Sequence, residues 1–240
     1  MSIFLKTILS IITFSSFAFA DIIGETQGNF TVGQTGSALY HVDLTVPKGT
    51  NNLQPSISLE YNSHYSNGIM GAGWTINGFS TIQRCPSTIE QDNIRGTINY
   101  DFNDRFCLDG VRLIAVRGTD GQSGTEYRTE IDTFSQITSY GISGNGPDWF
   151  EVKTKDGKII EYGRNNNSKI FTEFDNGDNR EGTVRVWAVS KESDLIGNSI
   201  NYEYGVDENR LYRTSSTSSS MIGFYPIRID YGRALVHSLK

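Results

Sequence analysis

The sequence predicts an all-β protein made of many short antiparallel strands and hairpins. Apolar and polar residues alternate with period two in several separate runs. Glycine-bearing turn dipeptides punctuate those runs, and beyond residue 20 no stretch holds a 3.6-residue apolar period for three turns. Composition agrees: 25 glycines, only 5 prolines, 12 tyrosines and 13 phenylalanines in 240 residues suit strands joined by tight turns. The length allows one large domain or two small ones with a self-sufficient core.

The elements follow in chain order. Residues 1–20, MSIFLKTILSIITFSSFAFA, carry one cation at Lys6, an apolar run over 7–17 and Ala18-Phe19-Ala20 before Asp21. This is the anatomy of a cleavable signal peptide. The run is interrupted by Ser10, Thr13, Ser15 and Ser16 and is too short for a spanning helix. Tyr40, Val42, Leu44 and Val46 then alternate with His41, Asp43 and Thr45, the pattern of a half-buried strand. It recurs at Ile57, Leu59 and Tyr61, at Phe150 and Val152, at Ile200, Tyr202 and Tyr204, and at Ile227, Ile229 and Tyr231. Around Asp156-Gly157, WFEVKTK and KIIEYG predict a hairpin, with a type I′ turn because Asp-Gly tolerates two positive φ angles. Asn67-Gly68, Asp109-Gly110, Asp120-Gly121 and Asn176-Gly177 are further turn signals. The tract TSSTSSS at 214–220 reads as an exposed loop.

Charge and motif content narrow the chemistry. A formal net charge of −6 without a Lys/Arg cluster argues against nucleic acid and against an anionic membrane surface as partners. The two cysteines, Cys85 and Cys107, follow an export signal, so one disulfide is the natural reading. A catalytic thiol would need a base, and His41, His64 and His237 form no Cys/His signature with them. Two separated cysteines also fit no zinc motif.

In a strand spanning residues 125–132, Glu126, Arg128, Glu130 and Asp132 share one face, with Glu130 and Asp132 about 6.6 Å apart. That spacing suits a hydrolytic carboxylate pair, although charges beside an arginine ordinarily form a solvated face. G-x-S-x-G, the phosphate loop, the dinucleotide fingerprint and H-E-x-x-H are absent. Gly71 and Gly73 begin a glycine fingerprint, but Ile76 occupies the third position, so they read as turn or bulge residues beside a buried Trp74. Residues 175–179, DNGDN, imitate a calcium loop but place Gly177 third and Val186 twelfth, and so read as a solvent loop.

Three segments together carry a family resemblance. GNFTVGQTGSALYHVDLTVPKGTNNLQPSISLEYNSHYSNGIMGAGWTINGFSTIQRCPSTI, DRFCLDGVRL, and the succession GTEYRTEIDTFSQI, KDGKIIEYG and VWAVSKESDLIGNSINYEY resemble the SpvB N-terminal domain. That domain is shared by Salmonella virulence plasmid protein B and the B subunits of insecticidal toxin complexes. The match is strongest over residues 28–204 and thins beyond Tyr204 to fragments such as IRIDYG.

The resemblance implies part of an Rhs/YD-repeat β-shell that encloses or delivers an effector. Its partners would be further β segments or subunits of a toxin complex. It offers no catalytic, cofactor-binding or metal-binding residue for any position here, and it makes Cys85 and Cys107 framework residues, in RCPST and DRFCLDG, whether or not they bond.

The expectation is therefore a signal peptide over 1–20 and an SpvB-like β domain over 21–240, truncated relative to the family. It would be a non-enzymatic, secreted, toxin-associated structural module without cofactor, passing through the periplasm. A stand-alone extracellular adhesion or glycan- or protein-binding domain is the alternative, and a hydrolase built on Glu130 and Asp132 the third reading.

Overall fold

A computed structural model describes residues 27–68, 70–172, 182–206 and 224–232. The signal peptide, the 175–179 loop with its Asn176-Gly177 signal, and the 214–220 tract lie outside the described residues.

Strands β1 (Asn29–Val32), β2 (Ala38–Leu44) and β3 (Ile57–Asn62) lead to a small hairpin of β4 (Asn67–Gly68) and β5 (Gly71–Ala72), and then to β6 (Trp74–Asn77). These form an antiparallel sheet in the order β1-β2-β3-β6. The period-two pattern sorts its faces. Phe30, Tyr40, Tyr61 and Trp74 stand opposite one another in a single row, with Val42, Leu59 and Ile76 in the next. Trp74 is half-buried in that row rather than enclosed, with the Tyr61 ring 5.4 Å and the Tyr40 ring 6.4 Å away on the same face. Asn67-Gly68 belongs to β4 instead of forming the turn.

The remaining strands build a closed barrel. β7 (Thr81–Cys85) is followed by the four-residue helix α1 (Ile89–Asp92) and by β8 (Arg105–Leu108), β9 (Val111–Arg117) and β10 (Glu126–Thr129). Then come β11 (Gln136–Tyr140), β12 (Trp149–Lys153), β13 (Ile159–Tyr162), β14 (Lys169–Phe171), β15 (Val184–Ser193), β16 (Ser199–Val206) and β17 (Phe224–Tyr231). From β7 to β13 each strand pairs antiparallel with the next. β15 pairs with both β13 and β7, which closes the meander into an eight-stranded ring.

Ten residues long, β15 serves four partners. Its first half takes β7 and β14, and its second half takes β13 and β16, from which β17 continues. An eight-stranded barrel has an interior that side chains just fill. Here Phe106, Tyr127, Phe150 and Trp187 fill it, with ring centroids 5.1–6.1 Å apart in edge-to-face contact. Ile82, Leu113, Ile137 and Val152 complete the packing.

Two Asp-Gly pairs behave differently because their loops differ in length. Asp109 (φ 47°) and Gly110 (φ 82°) are the two residues between β8 and β9, where Leu108 opposes Val111, so this is the type I′ hairpin. At 156–157 only Gly157 has positive φ (84°), and Thr154 N–H donates to the Lys158 carbonyl at 2.9 Å. The expected type I′ turn is thus a three-residue loop with glycine in the left-handed position. Asp194 and Asn198 close the β15–β16 hairpin in the same way, with Gly197 at φ 92°.

Replacing Phe106 with alanine opens the ring cluster at its centre and is expected to cost about 3–5 kcal/mol of unfolding free energy in urea titrations. Phe134→Ala removes a ring that is 71% exposed and is expected to stay within about 0.5 kcal/mol of the parent.

Candidate functional site

A guanidinium is buried inside the barrel. Ile82 points inward, and period two puts Arg84 inward as well, with 1% of its side chain exposed. Its Nε donates to the Val184 carbonyl (2.7 Å), and Nη1 donates to the Asp101 carbonyl (2.9 Å) and to Asp104 Oδ2 (3.1 Å). Nη2 donates to the Asn145 carbonyl at 2.9 Å. The guanidinium carbon lies 5.7 Å from the Phe106 ring and 5.8 Å from Trp187, within cation–π range.

Asp104 is equally spent. Its Oδ1 accepts from Asn99 N–H (2.8 Å), and its Oδ2 also accepts from Tyr100 N–H (2.7 Å). Burial pushes the Arg84 guanidinium below its ordinary value, and Asp104 opposes that shift. The β7–β8 and β11–β12 connections and the start of β15 are thereby tied to one side chain. Sequence motifs did not single out Arg84, although its i, i+2 relation to Ile82 was the available signal.

A second cluster covers the outer face. Cys85 and Cys107 form a disulfide between neighbouring strands, with Cα atoms 6.0 Å apart, and both are buried. Beside it, Arg112 Nη2 donates to both oxygens of Asp92 at 2.9 Å, and Arg105 Nε donates to Asp92 Oδ1 at 2.7 Å. Arg112 Nη1 also donates to the Pro86 carbonyl, and Thr88 N–H donates to Asp92 Oδ2. Helix α1 is thus clasped over the β7–β8–β9 surface. Burial alone would raise the Asp92 carboxyl, but the bonds from Arg105, Thr88 N–H and Arg112 outweigh it and hold the carboxyl below its ordinary value. Asp120, 3.4 Å from Arg105, moves the opposite way because burial dominates.

The carboxylate pair expected on one strand face is not placed there. β10 ends at Thr129, and the next residues turn back towards β11. Glu126 and Arg128 do share a face and pair at 2.9 Å. Glu130 accepts instead from the Gln91 side chain, while Asp132 Oδ1 caps its own turn by accepting from Phe134 N–H at 2.7 Å. The Thr129 and Thr133 hydroxyls, 3.1 Å apart, close that turn and break the strand period.

An open cleft of about 470 Å³ beside Trp74 is lined by His64, Tyr65, Ser66, Asn67, Gly68 and Thr75. Gly71 and Gly73 adopt positive φ next to it, and a Cβ on Gly73 would lie 2.6 Å from the Tyr61 ring. Among the described residues no three His, Cys, Asp or Glu side chains are grouped so as to hold a metal, and no helix is long and apolar enough to cross a membrane.

Comparison with known proteins places this architecture. The family model described as Salmonella virulence plasmid 65kDa B protein matches residues 32–237. The crystal structure of TcdB2-TccC3 is similar over 86% of this chain and 10% of that one, at 20% identity and TM-score 0.66. A Photorhabdus luminescens Tc holotoxin pore is similar over 87% and 10%, at 19% identity and TM-score 0.62. The N-terminal domain of effector protein SpvB from Salmonella typhimurium strain LT2 is similar over 80% and 64%, at 19% identity and TM-score 0.59. The chain therefore spans about a tenth of the length of the toxin-complex chains it matches. No curated protein matches it.

Arg84→Met would leave Asp104 charged and buried without its cation and would take the guanidinium donors from the Val184, Asp101 and Asn145 carbonyls, and is expected to cost about 3–5 kcal/mol by chemical denaturation. The Asp92 clasp has a defined pH sign. Because its folded pKa is depressed, the stability it contributes is present above the unfolded value and is lost as pH falls through the folded one. Stability measured from neutral pH downward is expected to fall on this acid limb, and Asp92→Asn is expected to lower the neutral plateau and flatten the limb. An unchanged limb in that variant would show that Asp92 does not supply it.

Proposed function

The chain belongs to the SpvB family, and from that premise we propose that it is a non-enzymatic, secreted structural module of a toxin assembly. In this reading it is the N-terminal part of a B-subunit-like shell that encloses or delivers an effector. The observation that carries the reading is a barrel filled by its own side chains: Phe106, Phe150 and Trp187 occupy the interior, and Arg84 is bonded on every side. Such an interior transmits load between strands and leaves no volume for a substrate. Strands β16 and β17 extend from β15 beyond the ring, so the sheet is not confined to the closed barrel. Likeness to toxin-complex chains about ten times longer supports the same role.

A second reading, an extracellular binding domain, is favoured by one feature: the half-exposed aromatic row with its open cleft at Trp74.

Native mass spectrometry of the tagged chain, expressed from its own locus and kept non-reduced, separates the two. The expected result is a chain lacking residues 1–20, lighter by two hydrogens than its reduced form, and held with other polypeptides in a larger assembly. A released species made only of subunits of about 24 kDa that binds cell surfaces saturably would contradict the shell role and support the binding domain.

A further inference from the structure

We propose that the outer edge of β1 is a docking edge, and that its occupant is β1 of a second copy of this chain. The proposal stands on the N-terminal sheet and is independent of the shell reading. All four residues of β1 are exposed, with Phe30 at 64% and Val32 at 67%, and among the described residues β1 pairs only with β2.

The orientation of its backbone follows from the register. Gly33 N–H donates to the Ser37 carbonyl at 2.8 Å, and Thr31 opposes Leu39 while Asn29 opposes His41. Hydrogen-bonded and non-bonded pairs alternate along an antiparallel ladder, so Asn29 and Thr31 bond to β2, and Phe30 and Val32 turn their N–H and C=O outward.

Protein edges are ordinarily protected by charge, proline, bulges or cover. β17, the terminal strand of the large sheet, has Pro226, Arg228 and Asp230, and its pairing with β16 shifts register at Glu203/Tyr204. β6, the other edge of the small sheet, lies against the β4–β5 hairpin, where a Cβ on Gly68 would meet the Trp74 carbonyl at 2.7 Å. β1, with the sequence NFTV, has no charge, proline or bulge, and among the described residues nothing covers it.

Its sequence is also self-complementary. When two copies meet antiparallel about a two-fold axis normal to the sheet, matching faces require opposed residue numbers with an even sum. Setting Thr31 opposite Thr31 of the second copy puts Phe30 opposite Val32 of that copy, and the reverse. The outward N–H and C=O groups of Phe30 and Val32 then find partners, the two exposed apolar pairs cover each other, and no like charges meet. The row Phe30–Tyr40–Tyr61–Trp74 becomes part of an apolar face continuous across eight strands.

Sedimentation equilibrium of the full secreted chain tests this across the micromolar to millimolar range. The parent is expected to dimerise with concentration. Phe30→Lys and Val32→Pro are expected to weaken the dimer by at least about tenfold with circular dichroism and thermal midpoint unchanged, since they alter exposed groups that do not bond β2. Ile227→Lys on β17 is expected to dimerise like the parent. A parent that stays monomeric throughout, or β1 variants that dimerise as tightly as it does, would overturn the proposal. Loss of the dimer in Ile227→Lys alone would overturn it too, while leaving the shell reading standing.

Discussion

A guanidinium inside a ring of aromatic side chains persists only if its donors are met, and that requirement organises this protein. Arg84 reaches its partners because the chain between β7 and β8 folds back to bring Asp101 and Asp104 over the barrel. Asn145, from the β11–β12 connection, and Val184, at the head of β15, complete the set. Removing any of these segments would leave charge in a low-dielectric interior, so the loops are as constrained as the strands they join. The aromatic cluster adds the complementary constraint, since Phe106 and Trp187 supply ring faces to the same cation and edges to each other.

Closure of the barrel depends on β15. Seven consecutive strands form a meander that would otherwise end in two open edges, β7 and β13. β15 bonds to both. Val189 N–H donates to the Ser80 carbonyl on one side, and the Ala188 carbonyl accepts from Gly163 N–H on the other. These are the two ends of one peptide unit and point in opposite directions, which is why a single strand can seal the ring. The disulfide and the Asp92 clasp act nearby on the outer face, fixing β7, β8 and β9 against α1.

Much of the fold was legible in the sequence because a strand's two faces have a fixed period. Ile200, Tyr202 and Tyr204 alternate and are buried together in β16, and Phe150 and Val152 do the same in β12. The family resemblance was legible in the ordered succession of segments and is matched by the family model over residues 32–237. Turn geometry was less so. Asp109-Gly110 and Asp156-Gly157 are the same dipeptide, and only the pairing of the flanking residues decides between a two-residue and a three-residue loop. The strand through Glu130 and Asp132 failed because threonine hydroxyls and an aspartate side chain compete with the ladder for backbone groups, a local contest that alternation does not register. Arg84 was hidden for the opposite reason. Its position was readable from Ile82, but an arginine in a strand is read as solvent-facing until its partners, distant in sequence, are known.

The central claim is that the Arg84 loops and the barrel are one cooperative body. Native-state hydrogen exchange of the intact protein, followed by residue over increasing denaturant, tests it most directly. The account predicts that the amides of Asn99 and Tyr100, which bind Asp104, exchange through the same global opening as those of β7, β12 and β15. Exchange of Asn99 and Tyr100 at a much lower opening free energy, with the barrel strands still protected, would contradict it.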